Sequence, residues 1–228
     1  AVRVHVKGRP PSVHEPAILV SNHVSWLDIW LIHSVCPVRF VAKADIRDWP
    51  LVGWLVSRAG TIYIERTRRR DTARTNETIG QVLRHGEHVG MFPEGTTSDG
   101  THLRAFHASL FQPALSLKSK VAMAAIRYPN ADGSPNLDAA YADERSLGES
   151  LKLILRHRVL RAEVAFLGTL ETEGRTRRDL ARETHAVIAH ALGFALPDSA
   201  PGTACDPPAG TPGCRAGSRS RTRCWCRR

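Results

Sequence analysis

The stretch AILVSNHVSWLDIWLI, residues 17–32, changes character halfway along. Ala17 to Val20 are β-prone; Ser21 and Asn22 break the run. A helix is predicted to start near Ser25. A strand that turns directly into a helix is the building unit of an α/β domain. The same alternation runs through the rest of the body. Further β-prone runs are VRFVA (38–42), TIYI (61–64), HVGMF (88–92), KVAMAAI (120–126) and EVAFL (163–167). Helix-length segments separate several of them. One spans 71–85, with Ile79, Val82 and Leu83 on a face. Another spans 176–193, with Leu180, Val187, Ile188, Ala191 and Leu192 at helical spacing. The pattern predicts a mostly parallel or mixed central sheet flanked by helices.

The composition bounds what such a domain can do. The 228 residues suit one mid-sized domain, here 1–196, with an appendage. The net charge of +10 favours anionic partners, whether nucleic acid, anionic lipid or phosphorylated small molecules. Only 6% of the residues are aromatic and no nucleic-acid module is recognisable, which argues against RNA or DNA. No stretch reaches the ~18 apolar residues of a membrane-spanning helix. Cys36 sits alone in the body, while Cys205, Cys214, Cys224 and Cys226 crowd the end of the chain. This is not a disulfide framework, and it fits a reducing compartment.

From Pro197 the composition shifts. Segment 197–228 holds five prolines, four glycines and six arginines, with almost no aliphatics. It cannot bury enough apolar surface to offset its ordering entropy, so disorder is expected. Its four cysteines lack the C-x-x-C pairs of common zinc sites, and no metal site is expected.

The opening stretch also carries polar residues that demand explanation. His23 and Asp28 lie five positions apart, a net rotation of ~140° that no single helix face accommodates. They can meet only across a turn. Ser25-x-x-Asp28 also matches a capping box, which by itself needs no catalysis. Two further strand ends deliver polar groups. GTIYIER (60–66) ends on Arg66, and HVGMFPEGTTS (88–98) ends in a loop with Glu94, Gly95 and Thr96. Arg66 alone could belong to a solvated basic patch, and Glu94 could be an ordinary turn carboxylate. In a parallel sheet, however, strand carboxyl ends share one edge, where ligands bind. Arg127, after KVAMAAI, would lie at a fourth such end.

Together the motifs resemble the glycerolipid acyltransferases typified by 1-acylglycerol-3-phosphate acyltransferase. N-H-x-S-x-x-D is matched by Asn22, His23, Ser25 and Asp28; G-x-I-x-I-x-R by Gly60, Ile62, Ile64 and Arg66. F-P-E-G-T-x-S is matched by Phe92, Pro93, Glu94, Gly95, Thr96 and Ser98. A fourth family motif departs from the pattern, with Met123 where proline is usual. An apolar N-terminal anchor is also usual, and the chain reads as starting after it.

The resemblance implies acyl transfer from a thioester to a lysolipid hydroxyl, most simply that of 1-acylglycerol-3-phosphate. Lyso-ornithine lipid is the alternative acceptor. No cofactor is implied, since acyl-CoA or acyl carrier protein would serve as the donor substrate. His23 would be the general base and Asp28 its orienting partner. Arg66 would clamp the acceptor's phosphate. Glu94, Gly95 and Thr96 would position the acceptor. Cys36 and Ser25 are not needed as nucleophiles. An anionic membrane surface, on its cytoplasmic face, is the expected location. A thioesterase lacks support because no Ser or Cys nucleophile elbow is present. A non-catalytic basic membrane binder has no need of the His23–Asp28 pair.

WPLVGWLV (49–56) is apolar, and it is either interfacial or a buried helix. Liposome flotation of a Trp49→Ala/Trp54→Ala double variant separates the two. Reduced flotation marks an interfacial segment, and unchanged binding marks a buried one.

Overall fold

The computed structural model describes residues 1–45, 53, 57–58, 60–64, 69–142 and 145–195. Arg66, the Trp49 and Trp54 side chains, and the segment from Leu196 to the C-terminus lie outside the described residues.

Among the described residues seven strands form one sheet. They are β1 (Val2–Lys7), β2 (Ile18–Ser21), β3 (Val38–Lys43), β4 (Ile62–Ile64), β5 (His88–Met91), β6 (Val121–Arg127) and β7 (Leu160–Leu170). Their order across the sheet is β1-β7-β6-β2-β5-β3-β4. The block from β6 to β4 is wholly parallel, so five strands end on one edge. β7 runs antiparallel to β6, and β1 pairs parallel with β7. The sheet is therefore mixed. Each expected β-prone run is found as a strand.

β1 was not expected. Its sequence VRVHVK alternates perfectly, but all six residues are exposed, and the strand forms an edge. Central strands behave differently. Every residue of β2 and β5 is buried, as parallel strands covered on both faces require. β6 runs unbroken through Met123, with an irregularity in its pairing to β7 between Ala122 and Ala124. The missing proline leaves the strand intact.

The strand alternation sorts side chains into two cores. Leu19, Phe40, Ala124 and Val164 face α1 (Leu27–His33) and the helix Leu147–Arg156. Val20, Met91 and Met123 face α2 (Arg69–Arg84) on the other side. The short α3 (Gln112–Ser116) and the long helix Arg177–Leu192 cover the same side. Helices Leu147–Arg156 and Arg177–Leu192, here α4 and α5, each open on a complete capping box, Ser146–Glu149 and Thr176–Asp179. α5 buries Leu180, Ala181, Thr184 and Ile188, whereas Val187 and Ala191 point outward, a face rotated from the one expected. Threonine was overlooked as a core residue because its hydroxyl is polar. The Thr184 hydroxyl is satisfied within the helix, donating to the Leu180 carbonyl at 2.6 Å.

His88 is fully buried at the start of β5, where its Nδ1 accepts the Ala17 N–H at 3.1 Å. Burial lowers its pKa below the ordinary 6.5. As pH falls below about 6.5, the unfolded chain binds a proton that the folded one resists, so stability falls with acid. Urea denaturation between pH 7 and pH 5 should show this loss. His88→Asn, which retains an acceptor but does not titrate, should flatten it in part. His185 is also lowered by burial and keeps the remainder. An unchanged slope would show that His88 does not carry the acid sensitivity.

Candidate active site

The site is built where β2 ends. The chain leaves the sheet at Ser21, turns through Asn22 to Trp26 and enters α1. The Asn22 side chain extends the sheet by two bonds to β6. Its Nδ2 donates to the Ile126 carbonyl at 2.8 Å, and its Oδ1 accepts the Ile126 N–H at 2.7 Å. β2 and β6 are thereby joined one residue before His23.

His23 and Asp28 do meet across the turn. His23 Nδ1 lies 2.9 Å from Asp28 Oδ2. The same oxygen accepts the main-chain N–H groups of Val24 at 2.7 Å and Ser25 at 2.9 Å. Asp28 Oδ1 accepts the Tyr128 hydroxyl at 2.6 Å. Asp28 is fully buried, and its carboxylate takes four hydrogen bonds. The expected capping box is only half made. Asp28 reaches back to Ser25 N–H, but the Asp28 N–H donates to the Ser25 carbonyl rather than to its hydroxyl. The Ser25 hydroxyl contacts the Leu27 N–H at 3.4 Å, and α1 begins at Leu27. The tight turn around Asp28 takes the place of a side-chain cap.

The imidazole is held on its flat face as well. It stacks on Phe92, with centroids 3.9 Å apart and planes 6° apart. Phe92 stacks in turn on Phe40, at 5.1 Å. Phe40 occupies the space a side chain on Gly90 would take. A Cβ there would fall 2.7 Å from the Phe40 ring. Glycine in the middle of β5 thus seats the stack beneath His23.

The loop after β5 clasps the His23 main chain. Glu94 Oε1 accepts the His23 N–H at 2.7 Å, and the Ser98 N–H donates to the His23 carbonyl at 2.8 Å. Glu94 Oε2 accepts the Arg104 N–H at 3.0 Å, closing the loop on itself. Burial pushes the Glu94 carboxyl above its ordinary pKa, opposed by the bonds from His23 and Arg104. Each Glu94 oxygen accepts one main-chain N–H, so this residue pins the loop to His23. Gly95 and Thr96 are exposed at the loop's outer side. Gly95 has φ of 73°, and a Cβ on it would meet the His107 ring at 3.0 Å. Glycine is required there for both reasons.

Other expected residues fall outside this cluster. β4 runs parallel to β3 and brings the chain toward the same edge, but Arg66 itself lies outside the described residues. Arg127 pairs with Glu163 at 2.8 Å on the surface. Cys36 is buried, and its thiol is pushed up to about 11 by burial, which suits a core residue. Tyr128 was missed. It follows Arg127 directly, and the sequence offered only its place two residues past the end of a predicted strand.

A buried carboxylate holding a histidine by one nitrogen is a general-base arrangement. Among the described residues Nε2 has no hydrogen-bond partner, and 17% of the His23 side chain is exposed. That nitrogen can accept a proton from a hydroxyl presented at the sheet edge.

Comparison with known proteins gives the class. The model of the acyltransferase family matches residues 2–127. The lyso-ornithine lipid O-acyltransferase of Pseudomonas aeruginosa is 36% identical over 195 residues, covering 85% of this chain and 74% of that one. The 1-acyl-sn-glycerol-3-phosphate acyltransferase of Neisseria gonorrhoeae is 42% identical over 137 residues. That match covers 60% of this chain and 54% of the gonococcal protein. The fold matches the crystal structure of the 1-acyl-sn-glycerophosphate (LPA) acyltransferase PlsC from Thermotoga maritima. The TM-score is 0.58 at 19% identity, over 83% of this chain and 70% of that one. The chain belongs to the acyltransferase family. The family expected from three short motifs is the family found.

Gly90→Ala tests the stack. Overpacking against Phe40 should cost about 1–3 kcal/mol in urea denaturation. The displaced Phe92 and imidazole should lower acyl transfer by roughly tenfold or more. Parent-like stability and activity would show that the stack does not depend on Gly90.

Proposed function

We propose that the chain transfers an acyl group from a thioester to the free hydroxyl of a lysolipid. The observation that carries this is the His23–Asp28 pair, joined through Nδ1 at 2.9 Å, with no partner on Nε2 among the described residues. Family membership supports it. The acceptor hydroxyl gives its proton to His23 Nε2 as its oxygen bonds to the thioester carbonyl carbon. Asp28, holding Nδ1–H, stabilises the imidazolium that forms. The tetrahedral intermediate collapses, the C–S bond breaks, and the thiol leaves with the proton from His23. The products are the acylated lipid and free thiol, and the enzyme returns to its starting state. The chain's own cysteine and serine side chains form no bond to the acyl group.

For the acceptor we infer 1-acylglycerol-3-phosphate, giving phosphatidic acid for phospholipid synthesis. The gonococcal relative is named for that substrate, and Arg66 would hold its phosphate bidentately. Lyso-ornithine lipid is the second reading. The pseudomonal relative bears that name and matches more of this chain. It would need Arg66 less, since it has no phosphate. The donor is acyl-CoA or acyl carrier protein, bound as a substrate. We place the enzyme at the cytoplasmic face of a membrane, where the net charge of +10 attracts anionic lipid. Among the described residues no helix is long and apolar enough to cross a membrane.

Thiol release should be measured with each acceptor and each donor. The parent should consume thioester with a lysolipid, faster with 1-acylglycerol-3-phosphate. His23→Ala should reduce the rate by about 10²–10⁴-fold. A near-parent rate in that variant would overturn the mechanism. A faster reaction with lyso-ornithine lipid would select the second acceptor.

A further inference from the structure

We propose that Tyr128 is a positioning residue for this site, acting on His23 through the second oxygen of Asp28. The proposal rests on the reading of His23 as the general base. The two carboxylate oxygens divide their work. Oδ2 serves the turn and the imidazole, taking Val24 N–H, Ser25 N–H and His23 Nδ1. Oδ1 takes only the Tyr128 hydroxyl, at 2.6 Å. The three donors on Oδ2 leave the carboxylate free to tilt about that oxygen. The bond at Oδ1 resists the tilt, and with it steadies the direction from which the plane meets His23.

Tyr128 is itself placed with care. The Asn22 clamp fixes Ile126 two residues earlier. The Tyr128 carbonyl accepts the Asn136 N–H at 2.8 Å. Tyr128 is 3% exposed, so water does not compete for its hydroxyl. Burial and the neighbouring Asp28 carboxylate hold the phenol well above its ordinary pKa, which keeps it a donor. The residue beside the histidine in the first motif thus sets the donor on the far side of the aspartate. Asn22, His23, Asp28 and Tyr128 form one unit spanning two strand ends.

The electrostatic consequence has a definite sign. A donor on Oδ1 draws charge away from the side facing His23 and tempers the stabilisation of the imidazolium. Without it the imidazolium is favoured, and the base holds its proton to higher pH. The other groups set around His23 are fixed throughout. Glu94 binds its main-chain N–H, and Phe92 covers its ring face.

The test is an NMR titration of the His23 ring in the full chain, which needs no substrate. Tyr128→Phe should raise the titration midpoint. The acid limb of the pH–rate profile should move the same way, with kcat lowered and KM little changed. In an Asp28→Asn background, Tyr128→Phe should add no further shift. Site-specific 3-fluorotyrosine at position 128, a stronger donor, should move the midpoint downward, and it serves if the Phe variant does not fold. An unmoved midpoint with either replacement would overturn the proposal, as would an equal shift in the Asp28→Asn background. A shifted midpoint in a protein that transfers no acyl group would support the positioning role and sink the functional reading instead.

Discussion

One buried carboxylate organises the site. Asp28 has no exposure to water, and an unpaired charge there would be prohibitive. It is compensated by four donors: an imidazole, two main-chain amides and a phenol. Hydrogen bonds to a charged group contribute about 1.5–3 kcal/mol each, and losing any one leaves a buried acceptor short. The turn from Val24 to Ser25 therefore has little freedom. The same demand fixes the histidine and recruits Tyr128 from the end of β6. The bonds that shape the strand-to-helix turn are also the ones that hold the His23 ring.

The surrounding sequence supports that turn at one remove. Gly90 makes room for Phe40, Phe40 supports Phe92, and Phe92 carries the imidazole face. Glu94 and Ser98 hold the main chain of His23 from both sides. A motif that reads as a ligand loop is also a clasp on the His23 main chain. Two motifs separated by about seventy residues meet because β2 and β5 are parallel neighbours in the sheet.

Much of this was legible in the sequence. The strand runs and their parallel core could be read because buried parallel strands are continuous apolar stretches. The meeting of His23 and Asp28 could be read because a five-residue spacing needs a turn, and Ser21-Asn22 supplied a break. Other features were not legible. β1 escaped because an exposed edge strand buries nothing. The antiparallel entry of β7 depends on a long connection that has no local signature. The hold of Glu94 on the His23 main chain was not legible, because spacing cannot tell whether a carboxylate points to solvent or to main chain. Tyr128 was invisible because its partner lies a hundred positions away. Only the sheet order brings the two together.

The central claim is that Asp28 fixes His23 with a proton on Nδ1 and a bare Nε2 facing the acceptor. Nitrogen-15 chemical shifts of the His23 ring, measured in the free protein above its titration midpoint, read this tautomer directly. The account predicts a protonated Nδ1 and an unprotonated Nε2. The opposite tautomer, with the proton on Nε2, would contradict it, because Nδ1 could then donate nothing to Asp28 and Nε2 could accept nothing from a lipid hydroxyl.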